Sequence, residues 1–312
     1  MPMNQKPLLI HIDVDSPLKL IDFYRLTSIN YDTNRLEDFY RTAFERANDF
    51  FASQSVFATF FVVGDELEKS VAIQKLVLKA FGDGHEIENH TYSHPFGLTR
   101  LTDQEIRQQI EKCGRIIREV TGTSPIGFRS PGYNLDTRII NVLQELGYHY
   151  DSSGFWSIMN PLLSITRKFL FKSGLPNADF GVVNSTLPVR VYRPHVNNWL
   201  RSDVTRDFLE LPLPRTRFAL PFYNNFNLWA PGLYSNLASN TIDRPYLVYL
   251  FHIIEFMDST DPTVPKELIV HPNLKKTASH KIKRSREIIR ALSKNYRVQK
   301  TRDYIRECQK SA

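Results

Sequence analysis

Hydrophobic and polar positions change period in blocks along this chain, and each period names an element. Leu8 to Ile12 is a continuous apolar run of strand length. From residue 34 to 53, Leu36, Phe39, Tyr40, Ala43, Phe44, Ala47, Phe50 and Phe51 recur at helical spacing, which predicts an amphipathic helix with Asn34 and Glu37 as its capping pair. Val56 to Val63, rich in β-branched and aromatic residues and closed by Gly64, predicts the next strand. A helix from about Glu66 to Phe81 stops at Gly82-Asp83-Gly84, ahead of a short strand near His85 to Glu88. Thr102 and Glu105 open a third helix as a capping box, and Gly122 ends it. Strand Pro125 to Phe128, a helix from Asp136 to Leu146 closed by Gly147, strand Tyr148 to Tyr150 and the late apolar run Leu247 to Phe251 follow.

Strands that alternate with helices predict a parallel sheet with helices outside it, because parallel neighbours need crossovers. Polar residues gather at or just beyond the C-terminal end of each strand. Both a (β/α) barrel and an open doubly wound sheet collect functional groups on that face. Residues 157 to 245 have little clear period and are rich in proline and aromatics, as in Leu211-Pro-Leu-Pro214. They read as irregular strands and loops that wall a cleft.

Candidate chemistry sits in two of these strand ends. His90 and His94 are spaced i,i+4, which on a helix puts two imidazoles on one face, half of a metal site. Asp13 and Asp15 close the first strand at i,i+2 spacing, so a metal ligand and a proton acceptor can lie on one side. The plainer alternatives are a pair of unliganded histidines and a turn built on Asp15-Ser16-Pro17. Histidine and carboxylate donors suit zinc, and also cobalt, nickel or iron.

These runs, with Phe128-Arg129-Ser130-Pro131-Gly132-Tyr133, Tyr150-Asp151-Ser152-Ser153-Gly154-Phe155-Trp156 and Leu250-Phe251-His252, make the chain resemble the NodB-type polysaccharide deacetylases, similar to carbohydrate esterase family 4. Five motifs occur in that family's order, over roughly residues 7 to 305. The resemblance implies a distorted (β/α) barrel with fewer than eight parallel strands. It also implies Asp13 as catalytic base, Asp15, His90 and His94 as metal ligands, Arg129 as the group that holds and tunes the base, and His252 as general acid. Leu250 is expected to wall the pocket for the acyl methyl, and Trp156 to wall a groove, with Tyr133 and Asp151 also toward substrate. Two departures stand out. Val14 separates the first two aspartates, as in a subset of the family, and Gly132 takes the usual place of a tyrosine, so any backbone oxyanion contact there falls to Gly132.

The implied function is metal-dependent removal of an N-acetyl group from an amino sugar in a polysaccharide or lipid-linked glycan. A deformylase or related non-peptide C-N hydrolase is the nearest alternative, and a non-catalytic glycan-binding module is the alternative of another class. Because Asp13 and His252 must meet, residues 1 to 312 are expected to form one catalytic domain with a basic C-terminal helical region from about residue 275.

Composition changes this picture little. Hydrophobic content of 42% and charged content of 23% are ordinary for globular proteins. Cys113 and Cys308 make no disulfide framework, which fits a reducing compartment. The chain shows no apolar leader at Met1 to Pro7 and no membrane-spanning run, so a cytoplasmic protein, at most peripheral to the membrane, is expected. The net charge of +7 comes with no nucleic-acid-binding motif, so no nucleic-acid partner is expected. Lys275, Lys276, Lys281, Lys283, Arg284, Arg286 and Arg290 gather around one C-terminal helix, either as a solvated face or as a landing patch for anionic lipid or a pyrophosphate-linked sugar.

Overall fold

Leu8 to Ile12 forms the middle of a nine-residue strand, the longest among the described residues, and the candidate site lies around its end. The computed structural model describes residues 5–26, 29–158 and 186–310. In chain order the first elements are β1 (Lys6–Val14), α1 (Pro17–Tyr24), α2 (Thr33–Ser53), β2 (Ala58–Val62), α3 (Gly64–Lys69), α4 (Val71–Gly82) and β3 (Glu86–Asn89). Next come α5 (Asp103–Thr121), β4 (Gly127–Phe128), α6 (Thr137–Glu145), β5 (Tyr150–Asp151), β6 (Pro194–His195), β7 (Asn198–Ser202) and β8 (Leu209–Glu210). The remainder is α7 (Asn224–Trp229), α8 (Gly232–Thr241), β9 (Leu247–His252), α9 (Ala278–Leu292), β10 (Tyr296–Val298) and α10 (Thr301–Lys310).

β1 pairs in parallel with β2, β9 and β10, and the sheet continues through β3, β4, β5 and β8, also in parallel. Seven strands in the order β9-β1-β2-β3-β4-β5-β8 curl into an open barrel, and the short β10 flanks the start of β1 as one more paired strand. The two-residue period of a strand decides what faces where. Leu8, Ile10, Ile12, Phe60, Val62, Tyr249 and Phe251 pack outward against the Phe39, Phe44 and Phe51 face of α2. Leu9, Phe61, Tyr150, Leu209, Leu211, Val248 and Leu250 point inward and form one cluster, which joins β8 to β9 across the curl.

Several boundaries differ from those the sequence predicts. The cap of α2 is Asp32, whose carboxylate accepts from the Arg35 amide at 2.8 Å, so Asn34 is already inside the helix. The helix expected from Glu66 to Phe81 is two. Ser70 is extended (φ −135°, ψ 116°), and its hydroxyl accepts from the Ile73 amide at 3.1 Å to start α4 afresh. The capping box of α5 forms as read: Glu105 accepts from the Thr102 amide at 2.8 Å, and Gly122 ends the helix at φ 72°.

A polar plug closes the barrel interior toward the N-terminal ends of the strands. Glu86 accepts from the first two amides of α10, Thr301 and Arg302, at 2.9 Å each, so a carboxylate caps that helix from the sheet. Thr301 Oγ1 lies 3.0 Å from His11 Nε2 and 2.8 Å from Thr59 Oγ1. Glu88 accepts from the Ile126 and Gly127 amides and from Arg302. Gly127 is required here, because a Cβ would sit 2.1 Å from the Tyr150 ring.

Of the region between residues 157 and 245, residues 159–185 lie outside the described residues. The remainder supplies an antiparallel β6–β7 pair, β8, α7 and α8. Cys113 and Cys308 are both free thiols. No helix among the described residues is long and apolar enough to cross a membrane.

Candidate active site

Asp13 projects inward near the end of β1 and is 2% exposed, in register with His252 at the end of β9. Asp15 follows just past the strand. The two histidines arrive from the segment after β3, and that segment is not helical. Thr91 and His94 have φ of 67° and 59°, a left-handed conformation that costs about 1–3 kcal/mol per residue. Local side-chain bonds hold this turn: Asn89 accepts from the Thr91 amide at 2.8 Å and Thr91 from the His94 amide at 3.1 Å. The i,i+4 spacing therefore brings the rings together through a turn, with centroids 4.9 Å apart, and the expected helical face is absent.

Both imidazoles meet the same carboxylate. His90 Nε2 lies 3.2 Å, and His94 Nε2 3.1 Å, from Asp15 Oδ1. One donor atom from each of Asp15, His90 and His94 falls within 4.8 Å of the others. His90 Nδ1 donates to the Arg129 carbonyl at 2.7 Å, so in the neutral ring Nε2 keeps its lone pair toward Asp15. Burial resists ionisation of Asp15, but the His94 and His90 rings hold its carboxyl well below the usual range. Burial pushes His94 down; it opposes charge on His90 too, yet Asp15 raises that ring above its ordinary value. Asp15 Oδ1 has no aligned hydrogen-bond donor although it is buried. An acceptor oxygen facing two imidazole nitrogens is the donor chemistry of a divalent-cation site, and these residues fit one.

Arg129 is fully buried, with Nε 3.7 Å from Asp13 Oδ1. Its hydrogen bonds go elsewhere, to His11 Nδ1 at 2.6 Å and Ser152 Oγ at 3.3 Å. Asp13 Oδ1 and Arg129 Nε and Nη1 have no hydrogen-bond partner, so the pair attract without closing on each other. Burial, then the Arg129 charge, pushes His11 well below its ordinary pKa, which makes it a neutral acceptor for the guanidinium.

His252 Nε2 lies 3.9 Å from Asp13 Oδ2, and Nδ1 lies 3.2 Å from Glu255 Oε1. Burial opposes charge on this ring, but the Glu255 hydrogen bond and the Asp13 charge prevail and raise its pKa to about 9. Glu255 is in turn held by Asn224 Nδ2 at 2.6 Å. Sequence reasoning missed His11, Glu255 and Asn224. The His252-x-x-Glu255 spacing at a strand end was the available signal for one of them; nothing local marked the others.

The remaining candidates divide. Gly132 (φ 61°) and Tyr133 (φ 60°) form a tight turn, and Tyr133 Oη reaches His252 Nε2 at 3.3 Å. Leu250 is fully buried in the inner cluster that also contains Tyr133. Asp151 is fully buried, and Ser153 donates to each of its carboxylate oxygens, at 2.8 and 2.7 Å. These bonds hold it against the wall of the barrel. Trp156 lies under the Arg215 guanidinium at 4.5 Å and borders a crevice with Leu187, Pro212 and Tyr246.

Comparison with known proteins agrees with this architecture. Residues 28–150 match the polysaccharide deacetylase family model. Over 77 residues the chain is 39% identical to a peptidoglycan-N-acetylglucosamine deacetylase of Bacillus cereus, covering 25% of this chain and 26% of that protein. Over 99 residues it is 30% identical to chitin deacetylase 1 of Cryptococcus neoformans, covering 32% of this chain and 20% of that protein. The chain thus spans between 20% and 27% of the length of these and similar curated relatives. A Mycobacterium smegmatis crystal structure, provisionally named a polysaccharide deacetylase, shares the fold with a TM-score of 0.53 and 16% identity, over 96% of this chain and 95% of that one. With its seven-strand open barrel and the match over residues 28–150, the chain resembles the polysaccharide deacetylases in fold and, over that segment, in sequence.

Proposed function

We propose that this chain is a metal-dependent hydrolase that removes the N-acetyl group from an amino sugar of a polysaccharide or lipid-linked glycan, with residues 1 to 312 acting as one catalytic domain. One observation carries the reading: three donor atoms within 4.8 Å, from Asp15, His90 and His94, lie beside a buried carboxylate with an unpartnered oxygen, Asp13 Oδ1. The relatives named for peptidoglycan N-acetylglucosamine and for chitin support an N-acetylated glycan as the substrate class.

Asp15, His90 and His94 would hold the ion, zinc by donor type, and when bound it supplies Lewis acidity to a water and to the amide carbonyl. Asp13 takes the proton from the attacking water, and the Arg129 guanidinium lies 3.7 Å away as its cationic neighbour. His252 is protonated at neutral pH, because its pKa is raised to about 9, and gives its proton to the departing nitrogen. Glu255 fixes the ring so that Nε2 faces the site. The Gly132 amide lies in the turn before Tyr133, where a backbone N-H can stabilise the oxyanion.

The test is to incubate the zinc-loaded protein with a panel of N-acetylated oligosaccharides and lipid-linked amino sugars and to weigh the products by mass spectrometry. Release of acetate with a free amine is expected. Release of formate in its place makes the chain a deformylase of the same superfamily, and glycan binding without any mass change makes it a binding module.

A further inference from the structure

We propose that the α7–α8 edge docks on the surface of an anionic lipid bilayer. Trp229, Leu233 and Leu237 are 56%, 81% and 61% exposed, and Leu233 and Leu237 are one turn apart on α8. From Phe218 to Ile242 the chain has no Asp, Glu, Lys or Arg. Two adjacent uncharged helices with a Trp and two Leu in solvent match the interfacial zone of a bilayer, where aromatic rings and apolar side chains enter the headgroup boundary.

Cations border this edge. Arg284 of α9 donates to the Gly232 carbonyl at 2.9 Å and to Ser235 Oγ at 2.8 Å, and Lys276 donates to the Leu228 carbonyl. Lys275 and Lys283 of the same segment are exposed, and Arg284 pairs with Glu287 at 2.9 Å. Lys281 does not belong to this patch; it is buried and donates to the Met257 carbonyl. Apolar side chains flanked by cations complement an anionic membrane better than a soluble protein surface of either sign.

The edge is wired to the site. Asn224 opens α7 and holds Glu255, the partner of His252, while Trp229 closes the same six-residue helix. Ser285 of α9 donates to Asn224 Oδ1 at 2.9 Å. A file of ring contacts runs from Tyr133 through Phe155, Tyr223 and Phe226 to Trp229, with centroids 5.4 to 6.2 Å apart. Docking there would bring the bilayer against the helix that carries Asn224, and it does not depend on which bond the site cleaves.

The full chain should be centrifuged with phosphatidylcholine vesicles and with vesicles of phosphatidylcholine and phosphatidylglycerol in equal parts. It is expected to pellet with the anionic vesicles, less so as salt rises, and to stay in solution with the neutral ones. Trp229→Ser with Leu233→Ser and Leu237→Ser should weaken binding at least roughly tenfold, and Lys275→Ala with Lys283→Ala should weaken it about fivefold for each charge removed. Circular dichroism would verify that these surface variants fold. Absence of pelleting, equal pelleting with both vesicle types, or full binding by the triple serine variant would overturn the proposal. So would a concentration-dependent dimer that the triple variant abolishes, which would assign the edge to a second copy of this chain.

Discussion

The two ends of the barrel interior use the same residue types to opposite effect. Toward the N-terminal strand ends, Glu86, Glu88, Thr59, Thr301 and Arg302 donate to and accept from one another until none of their buried polar atoms is left without a partner. At the C-terminal strand ends, Asp13, Asp15, His94 and Arg129 each keep a buried polar atom unsatisfied. Since an orphaned buried polar group costs about 1–3 kcal/mol, the first arrangement stabilises the fold and the second is tolerated only where a ligand completes it. The contrast holds between these two groups of residues, while Tyr150 Oη and Glu210 Oε2 on neighbouring strands also lack a partner.

Substitutions at the two ends should therefore fail in different currencies. The largest effect is expected from Asp13→Asn, which should cut turnover by ~10²- to 10⁴-fold with bound metal retained. Its melting temperature should hold or rise, because an unsatisfied charge has gone; a large fall in stability would blur the contrast. Glu86→Ala should do the reverse. Stranding two helix amides and the Thr59 hydroxyl is expected to cost about 3 kcal/mol, read as a lower denaturation midpoint, while the molecules that remain folded keep their turnover.

A pH profile sharpens the comparison further. His252 is raised to about 9 from the ordinary value of 6.5. With the folded pKa above the unfolded one, its charged form adds stability that is complete below about pH 6.5 and is lost as pH rises through about 9. Activity that needs the protonated ring should fall over the same upper limb. Glu255→Gln removes the main raising influence, so the alkaline limb of kcat/KM should move to lower pH; an unmoved limb would show that Glu255 does not tune the acid. The smallest effect is expected from Thr301→Val, which leaves His11 Nε2 without its partner and should cost about 1 kcal/mol in stability.

What the sequence disclosed follows the range of each interaction. The α5 capping box, the apolar face of α2 and the strand ends bearing Asp13, Arg129 and His252 are local patterns, and they are where the spacing predicts them. The plug was illegible because its bonds join residues far apart in the chain, as Glu86 does with Thr301. His11 looked like one more position in an apolar run, and only the approach of Arg129 from another strand gives it a role. The His90–His94 turn shows a local pattern misread: the spacing was informative, but Asn89 and Thr91 bonds to the backbone outcompete the helix it suggests.

Whether Asp15, His90 and His94 form one cation site is decided by calorimetric titration of zinc into chelator-stripped protein. One zinc per chain is expected for the unaltered protein and for Asp13→Asn, with loss of that binding in His94→Ala. Equal zinc binding by His94→Ala and the unaltered chain would contradict such a site.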